Sequence, residues 1–323
     1  MLTSALDIMA IAAHRDDVEQ TCGGTLLKMA EAGHRTGILD LTRGEMGTRG
    51  TAEDRAREAA EAAKILHVSW REALDIPDGR VENTWENRLK VARIIRQTRP
   101  RVVILPYWKG RHPDHYTASK LGYEACFLAG LAKLDMERAL SNQQSAFSQV
   151  ASAVASVVAG EHQRIPAAAK AGQRARRSGT TVSLGLPGRA GAPAEETDLA
   201  DEASNRNPSR TTTSSSLSGE ALAPHRPFKI IYATLYHDVR PTFVVDISEQ
   251  FEARFESLMA YKSQFSDQEA GRDIFPAREE IRARIESMAR FYGMMAGVSY
   301  GEPFLQKEVG LVDDVTAIPV KSI

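Results

Sequence analysis

The feature that most restricts this chain is a repeated alternation of short apolar runs with amphipathic stretches between Leu6 and Asp135. Apolar runs of this length suit strands covered on both faces, and the amphipathic stretches between them suit crossover helices that return the chain for parallel pairing. The pattern predicts an α/β fold, a Rossmann-like, doubly wound and mostly parallel sheet. Strands are expected at residues 8–12, 36–41, 68–74 and 102–105, and helices at 19–32, 53–65, 83–98 and 115–131. Farther on, 229–234 and 242–247 read as strands, and 249–265 and 277–293 as helices. Between 137 and 223 Ala, Ser, Arg, Gly and Thr dominate and Phe147 is the sole aromatic residue. So little apolar surface cannot offset chain entropy, and the stretch reads as a low-complexity, disordered insertion. It divides one domain into an N-terminal part, 1–136, and a C-terminal part, 224–323.

Composition narrows the partners. A formal charge of −1, from 41 basic and 42 acidic residues, provides no general attraction to nucleic acid or to anionic membrane, so a small-molecule substrate is expected. Cys22 and Cys126 stand in expected helices and make neither a disulfide framework nor a Cys-rich metal site. With no leader-like start and no apolar run long enough to span a bilayer, a reducing cytoplasm is the expected location.

Two motifs stand at the ends of expected strands: Ala13-His14-Arg15-Asp16-Asp17-Val18-Glu19 after the first, and Arg111-His112-Pro113-Asp114-His115 after the fourth. In a parallel sheet these carboxyl ends are where loops from different strands converge on a ligand. His14 and Asp17, three residues apart, can bind one divalent ion, with His115 as third ligand. Two imidazoles and a carboxylate leave room for water and substrate, as catalytic zinc requires, and iron(II) accepts the same set. Asp16 is then available as base toward the attacking water, and His112 as the group that stabilises an oxyanion. Asp114 is left to orient or tune one of the histidines. Either motif alone fits a capped helix start with a surface histidine; their pairing at two strand ends favours the metal site. His34, His67 and His162 read as surface residues, and His225 and His237 are undecided. Cys22-Gly-Gly-Thr25 lacks the Gly-x-Gly-x-x-Gly spacing of a dinucleotide site.

At these motifs the chain resembles the LmbE/PIG-L family of zinc-dependent N-deacetylases, whose pattern is Ala-His-Pro-Asp-Asp-x-Glu with a later His-x-Asp-His. The resemblance covers residues 5–135 and 224–315. It is closest to the bacillithiol-pathway branch, which deacetylates N-acetylglucosaminyl malate, at residues 40–51, 111–115, 224–227, 243–248 and 300–304. It implies zinc on His14, Asp17 and His115, Asp16 as base, His112 as stabiliser of the tetrahedral intermediate, and a homo-oligomer, often a hexamer. Arg49, Arg55, Arg111 and Arg226, on the matching loops, are the arginines offered to the malate carboxylates. Met46 and Trp108 could pack on the sugar or within the fold. An amidase acting on a larger sugar-thiol conjugate and a binding protein without catalysis are the alternatives. The second rests on Arg15, which replaces the family proline and is expected to weaken metal binding or turnover, and on the insertion, which is expected to enter on the approach to a substrate loop.

Overall fold

The computed structural model describes residues 5–136, 139, 141, 222–234, 239–265 and 277–320. The described residues belong to one compact unit that joins the two sides of the expected insertion. Of residues 137–223, 139, 141, 222 and 223 are described; the remainder, with His162 and also His237, lies outside the described residues.

Strands β1 (Ile8–Ala12), β2 (Thr36–Asp40), β3 (Trp70–Ala73), β4 (Val102–Pro106) and β5 (Lys229–Ala233) pair in parallel, and β1 and β2 are buried at every residue. Beyond β5 come β7 (Gly301–Leu305) and then β6 (Phe243–Asp246), with β7 antiparallel to both neighbours. The order β3-β2-β1-β4-β5-β7-β6 reverses direction between β1 and β4. That is the switch point where a crevice opens at the carboxyl ends. The expectation of a doubly wound, mostly parallel sheet holds.

Helices α4 (Trp85–Thr98) and α5 (Pro113–Ala129) pack on one face, burying Leu89, Ile95, Leu121 and Ala125 against Met9, Leu39 and Leu105. Val18, Cys22 and Leu26 cover Ala10, Ile38 and Ile104 on the other. Helix α3 (Ala52–Ile65) opens on a reciprocal capping box between Thr51 and Asp54. The C-terminal region adds α6 (Phe251–Met259), the short α7 (Lys262–Phe265) and α8 (Arg278–Ala296). Among the described residues no helix is long and apolar enough to cross a membrane.

The helix expected at 19–32 is two, α1 (Asp17–Thr21) and α2 (Gly23–Glu31), broken at Cys22. The cause is tertiary: Arg254 of α6 donates to the carbonyls of Glu19 and Gln20, which a continuous helix would use itself. β7 was not expected as a strand, because Gly301 and Pro303 weaken strand propensity; it is nevertheless buried at all its residues.

The start of α2 is where a dinucleotide fold would hold phosphate. Here it is filled by the chain's own Glu302, 0% exposed, which accepts from Gly24 N (2.9 Å), Thr25 N (2.7 Å) and Thr25 Oγ1 (2.5 Å). Gly24 permits this approach, since a Cβ there would lie 3.0 Å from both Glu302 Oε1 and Ile247. Arg254 Nε completes the arrangement 3.0 Å from Glu302.

At the far ends of α4 and α5, buried Arg96 donates to the carbonyls of Ala129 (2.9 Å), Leu131 (2.6 Å), Leu134 (3.0 Å) and Leu222 (3.2 Å). One side chain thus ties together the chain on both sides of the expected insertion. These junctions lie at the C-terminal end of α5, whereas the second motif opens its N-terminal end. The expectation that the insertion enters beside a substrate loop is not met at its described borders.

Replacing Glu302 with Gln leaves Arg254 buried without its counter-charge and is expected to cost about 3–5 kcal/mol of stability. Urea unfolding followed by circular dichroism measures this, and a loss below about 1 kcal/mol would show that the pair contributes little.

Candidate metal centre and active site

The first motif turns sharply where β1 ends. Asp17 N bonds to the His14 carbonyl, and His14 N donates to Asp17 Oδ2 at 2.9 Å. Between them Asp16 has φ 100°, a left-handed conformation unusual for a residue with a Cβ. The turn sends the side chains of consecutive Asp16 and Asp17 in different directions. The second motif starts α5, with His112 as N-cap and Pro113 in the first turn. His112 Nδ1 accepts from Asp114 N at 3.2 Å, which leaves the proton of a neutral imidazole on Nε2. His112 lines a cavity of about 740 Å³ that also touches Asp17, His115, Tyr107, Lys109 and Arg111.

The three expected ligands converge. His14 Nδ1 lies 3.2 Å from His115 Nε2 and 3.5 Å from Asp17 Oδ2, and His115 Nε2 lies 3.2 Å from Asp17 Oδ1. Ligands about 2.0–2.1 Å from a tetrahedral ion are about 3.3–3.4 Å from one another, so the donor set fits one divalent cation of zinc's size. His112 stands beside them, its ring centroid 4.7 Å from His14 and 4.8 Å from His115.

The other edge of His14 is also held. Nε2 lies 3.0 Å from Asp78 Oδ1 and 3.3 Å from Asp114 Oδ2. Asp114 in turn accepts from Gly79 N (2.9 Å) and Val81 N (3.2 Å), and Asp78 Oδ2 from Met46 N (3.0 Å). The histidine oriented by Asp114 is therefore His14. Carboxylates on the far nitrogen fix the ring and its tautomer and raise its basicity toward a metal. Asp78 carries no ligand signal in the sequence, because Pro77-Asp78-Gly79 has the composition of an ordinary turn.

Charge follows this packing. Burial alone would lower the His14 pKa, but Asp17 and Asp78 outweigh it and raise it to about 11. His115 is likewise raised by Asp17 against its burial, and Asp17 is driven well below the usual carboxylate range against its own. Burial, followed by the neighbouring His14 and His115, lowers His112. Burial pushes Asp16 up to about 7, opposed chiefly by Arg55, whose Nη2 lies 3.3 Å from Asp16 Oδ2. The site combines acceptors for a cation, a carboxyl near its midpoint at neutral pH, and an imidazole disposed to remain neutral.

The four arginines separate. Arg111 is exposed on the cavity lining, and Lys109, not singled out before, joins it there. Arg55 is buried under the loop at Gly44 and donates to the Arg15 carbonyl, so it braces the turn instead of reaching into the cavity. Arg49 is buried and exchanges bonds with the main chain and side chain of Gln264. Arg226 stacks on Phe127 near Gly130, at the end of α5 remote from His115. The helix separating them has 17 residues and is about 25 Å long. The expectation that Arg226 contacts the substrate is thereby corrected: proximity in sequence to β5 placed it at the wrong end of the sheet. His225 lies at that end too, 2.8 Å from the Pro100 carbonyl. Trp108 packs on Tyr107, Tyr232 and Lys307 and does not line the cavity, and Met46 is exposed.

Arg15 does not pair with a carboxylate. It is buried, and its Nη1 donates to the carbonyls of Ala52 (2.8 Å) and Arg43 (3.3 Å), turned away from the ligand atoms. Among the described residues no acidic group lies within ion-pair distance of it.

Residues 9–126 match the family PIG-L: GlcNAc-PI de-N-acetylase. A diacetylchitobiose deacetylase of Thermococcus kodakarensis is 36% identical over 135 residues, covering 38% of this chain and 50% of that protein. An uncharacterized deacetylase of Escherichia coli is 31% identical over 125 residues, covering 37% of this chain and 67% of that one. The chain thus spans between half and two thirds of these two curated relatives. A crystal structure from Thermus thermophilus superposes with a TM-score of 0.62 at 31% identity, over 95% of this chain and 98% of the other.

If the three donors hold a divalent ion, adding zinc stabilises the folded chain, by about 2.7 kcal/mol at a hundredfold excess over the dissociation constant. Thermal unfolding should show an upward shift with zinc, absent in His115→Ala; equal shifts in both proteins would place the ion elsewhere.

Proposed function

This chain belongs to the PIG-L de-N-acetylase family, and from that premise we propose that it is a metal-dependent hydrolase that removes the N-acetyl group from a glucosamine conjugate. The observation that carries the reading is one side-chain constellation. The donors of His14, Asp17 and His115 are spaced for a single cation, with the His112 ring beside them and Asp16, next to Asp17 in the chain, held by Arg55.

Zinc, or iron(II), held by these three residues would supply Lewis acidity toward a water molecule and the amide carbonyl. Asp16 takes the proton of the attacking water, a role suited to a carboxyl that burial places at about 7. Arg55 keeps Asp16 in position from beneath, 3.3 Å away. His112, with Nδ1 occupied by the Asp114 amide, offers its Nε2 proton to the oxyanion that develops on the carbonyl. Asp16 then returns the proton to the leaving amine. Asp78 and Asp114 hold His14 throughout.

The cavity of about 740 Å³ has room for more than one sugar ring, which supports a conjugate as substrate. Lys109 and Arg111 on its lining suit an anionic aglycone. N-acetylglucosaminyl L-malate, the bacillithiol precursor implied by the sequence resemblance, meets both requirements and is the substrate we put forward. Self-association as a homo-oligomer, by the same resemblance a hexamer, and a cytoplasmic location complete the proposal.

The test follows amine release by the zinc-loaded protein from the malate conjugate, N-acetylglucosamine and N,N'-diacetylchitobiose. Asp16→Asn is expected to lose about 10²–10⁴-fold in kcat while retaining zinc. Arg111→Ala with Lys109→Ala should raise KM for the malate conjugate about tenfold or more and leave that for N-acetylglucosamine near its original value. Absence of turnover on all three substrates by protein with stoichiometric zinc would overturn the deacetylase reading; preference for diacetylchitobiose would overturn the malate assignment alone.

A further inference from the structure

Arg15 interrupts the ligand motif with a long cation, and its contacts follow a closed path. Nη1 reaches the carbonyls of Arg43 and Ala52, the two ends of one loop, at 3.3 and 2.8 Å. Within that loop Glu45 Oε1 accepts from Asp78 N at 2.8 Å, and Met46 N donates to Asp78 Oδ2 at 3.0 Å. Asp78 Oδ1 lies 3.0 Å from His14 Nε2, and His14 is the neighbour of Arg15 in the chain. Farther along the loop Arg49 is tied to Gln264, whereas toward the Arg43 end Gly44 adopts positive φ and Met46 is 74% exposed. From the opposite direction Arg55, in the first turns of α3, donates to the Arg15 carbonyl, so the turn and the loop grip each other reciprocally.

We infer that Arg15 is a positioning residue, a strut that holds the 43–52 loop against the metal-binding turn and, through Glu45, Met46 and Asp78, fixes the orientation of the His14 imidazole. The inference rests on the metal-site reading above for its last link, and not for the strut itself. The physical logic is substitution of one restraint for another. A proline between the histidine and the first aspartate would restrict the preceding residue locally, through its ring. A guanidinium at that position imposes no local restriction, but it can make bonds at a distance with fixed geometry. A buried arginine without a carboxylate partner is costly to desolvate, and carbonyl oxygens at both ends of a glycine-containing loop are what compensates it here. Carboxylates bonded to the far nitrogen of a ligating imidazole set metal affinity by orienting the ring, so a loosened Asp78 is felt at His14.

The experiment compares full-length wild type, Arg15→Ala, Arg15→Pro, Arg15→Lys, Asp78→Asn and the double variant Arg15→Ala/Asp78→Asn. It reads amide hydrogen exchange in residues 43–52, with β1 as the folded reference, and zinc affinity by competition with a chromogenic chelator. Arg15→Ala and Arg15→Pro should exchange about tenfold faster across the loop with β1 unchanged, and Arg15→Lys, which retains a cationic donor, should restore part of the protection. Zinc should bind about tenfold more weakly to Arg15→Ala and to Asp78→Asn, and the double variant should bind no more weakly than Asp78→Asn alone. Unchanged loop exchange in both Arg15→Ala and Arg15→Pro overturns the strut. A faster loop with undiminished zinc affinity, or additive losses in the double variant, overturns the relay to His14. Failure of the wild type to bind zinc would defeat the metal reading and the relay with it, while loop exchange still decides the strut.

Discussion

The arrangement depends on how one imidazole is held. His14 presents Nδ1 to His115 and Asp17 and Nε2 to Asp78 and Asp114, so both ring nitrogens have acidic or ligating neighbours within 3.5 Å. Four segments meet on this ring: the turn after β1, the turn before α4, the start of α5, and, through Asp78, the loop after β2. A ring fixed on both edges cannot swing, and the positions of the other donors are defined relative to it. The crevice between β1 and β4 makes this possible, because only there do loops from adjacent strands leave in opposite directions.

Beneath the site lies a second layer of buried charge. Arg71 donates to Glu19 at 2.6 Å and to both oxygens of Asp40, at 2.9 and 3.0 Å, and Tyr261 adds a bond to Glu19 at 3.1 Å. Arg254 connects Glu302 with the carbonyls that break the first helix. Buried pairs are weak evidence of stability, because desolvation offsets much of their attraction, but removing one partner is costly. Their consequence here is geometrical: the floor under Asp16 and Asp17 is a lattice of directional bonds. That rigidity suits a turn that must keep Asp16 at positive φ. With Glu302 bonded to the Gly24 and Thr25 amides, the start of α2 has no amides left there for a phosphate.

Much of the site was legible because the motifs are local. His14, Asp16 and Asp17 lie within four consecutive residues and His112 to His115 within another four, each following an apolar run whose type is clear from its length and flanks. The parallel order of the strands then brings the two groups together without further information. Asp78 carried no such mark, since an aspartate in a Pro-Asp-Gly turn has the same local appearance whether it faces water or a histidine. The partners of Arg15 were equally illegible, since the carbonyls it bonds lie 28 and 37 residues away in the chain. Arg49, Arg55 and Arg226 were chosen from loop membership, and burial of the first two and the 17-residue length of α5 for the third decided otherwise.

The sequence by itself determined the sheet class, the alternation of strands with helical segments up to α5 and which chemically able side chains stand at the ends of β1 and β4. These depend on periodicity over a few residues and on side-chain chemistry at strand ends, both of which are local. Only the tertiary structure decided that the first helix breaks at Cys22, that β7 inserts between β5 and β6 despite its glycine and proline, which cations reach the cavity, and which acids hold His14. Those outcomes depend on contacts between segments tens to hundreds of residues apart, where burial and directional bonding override local preference.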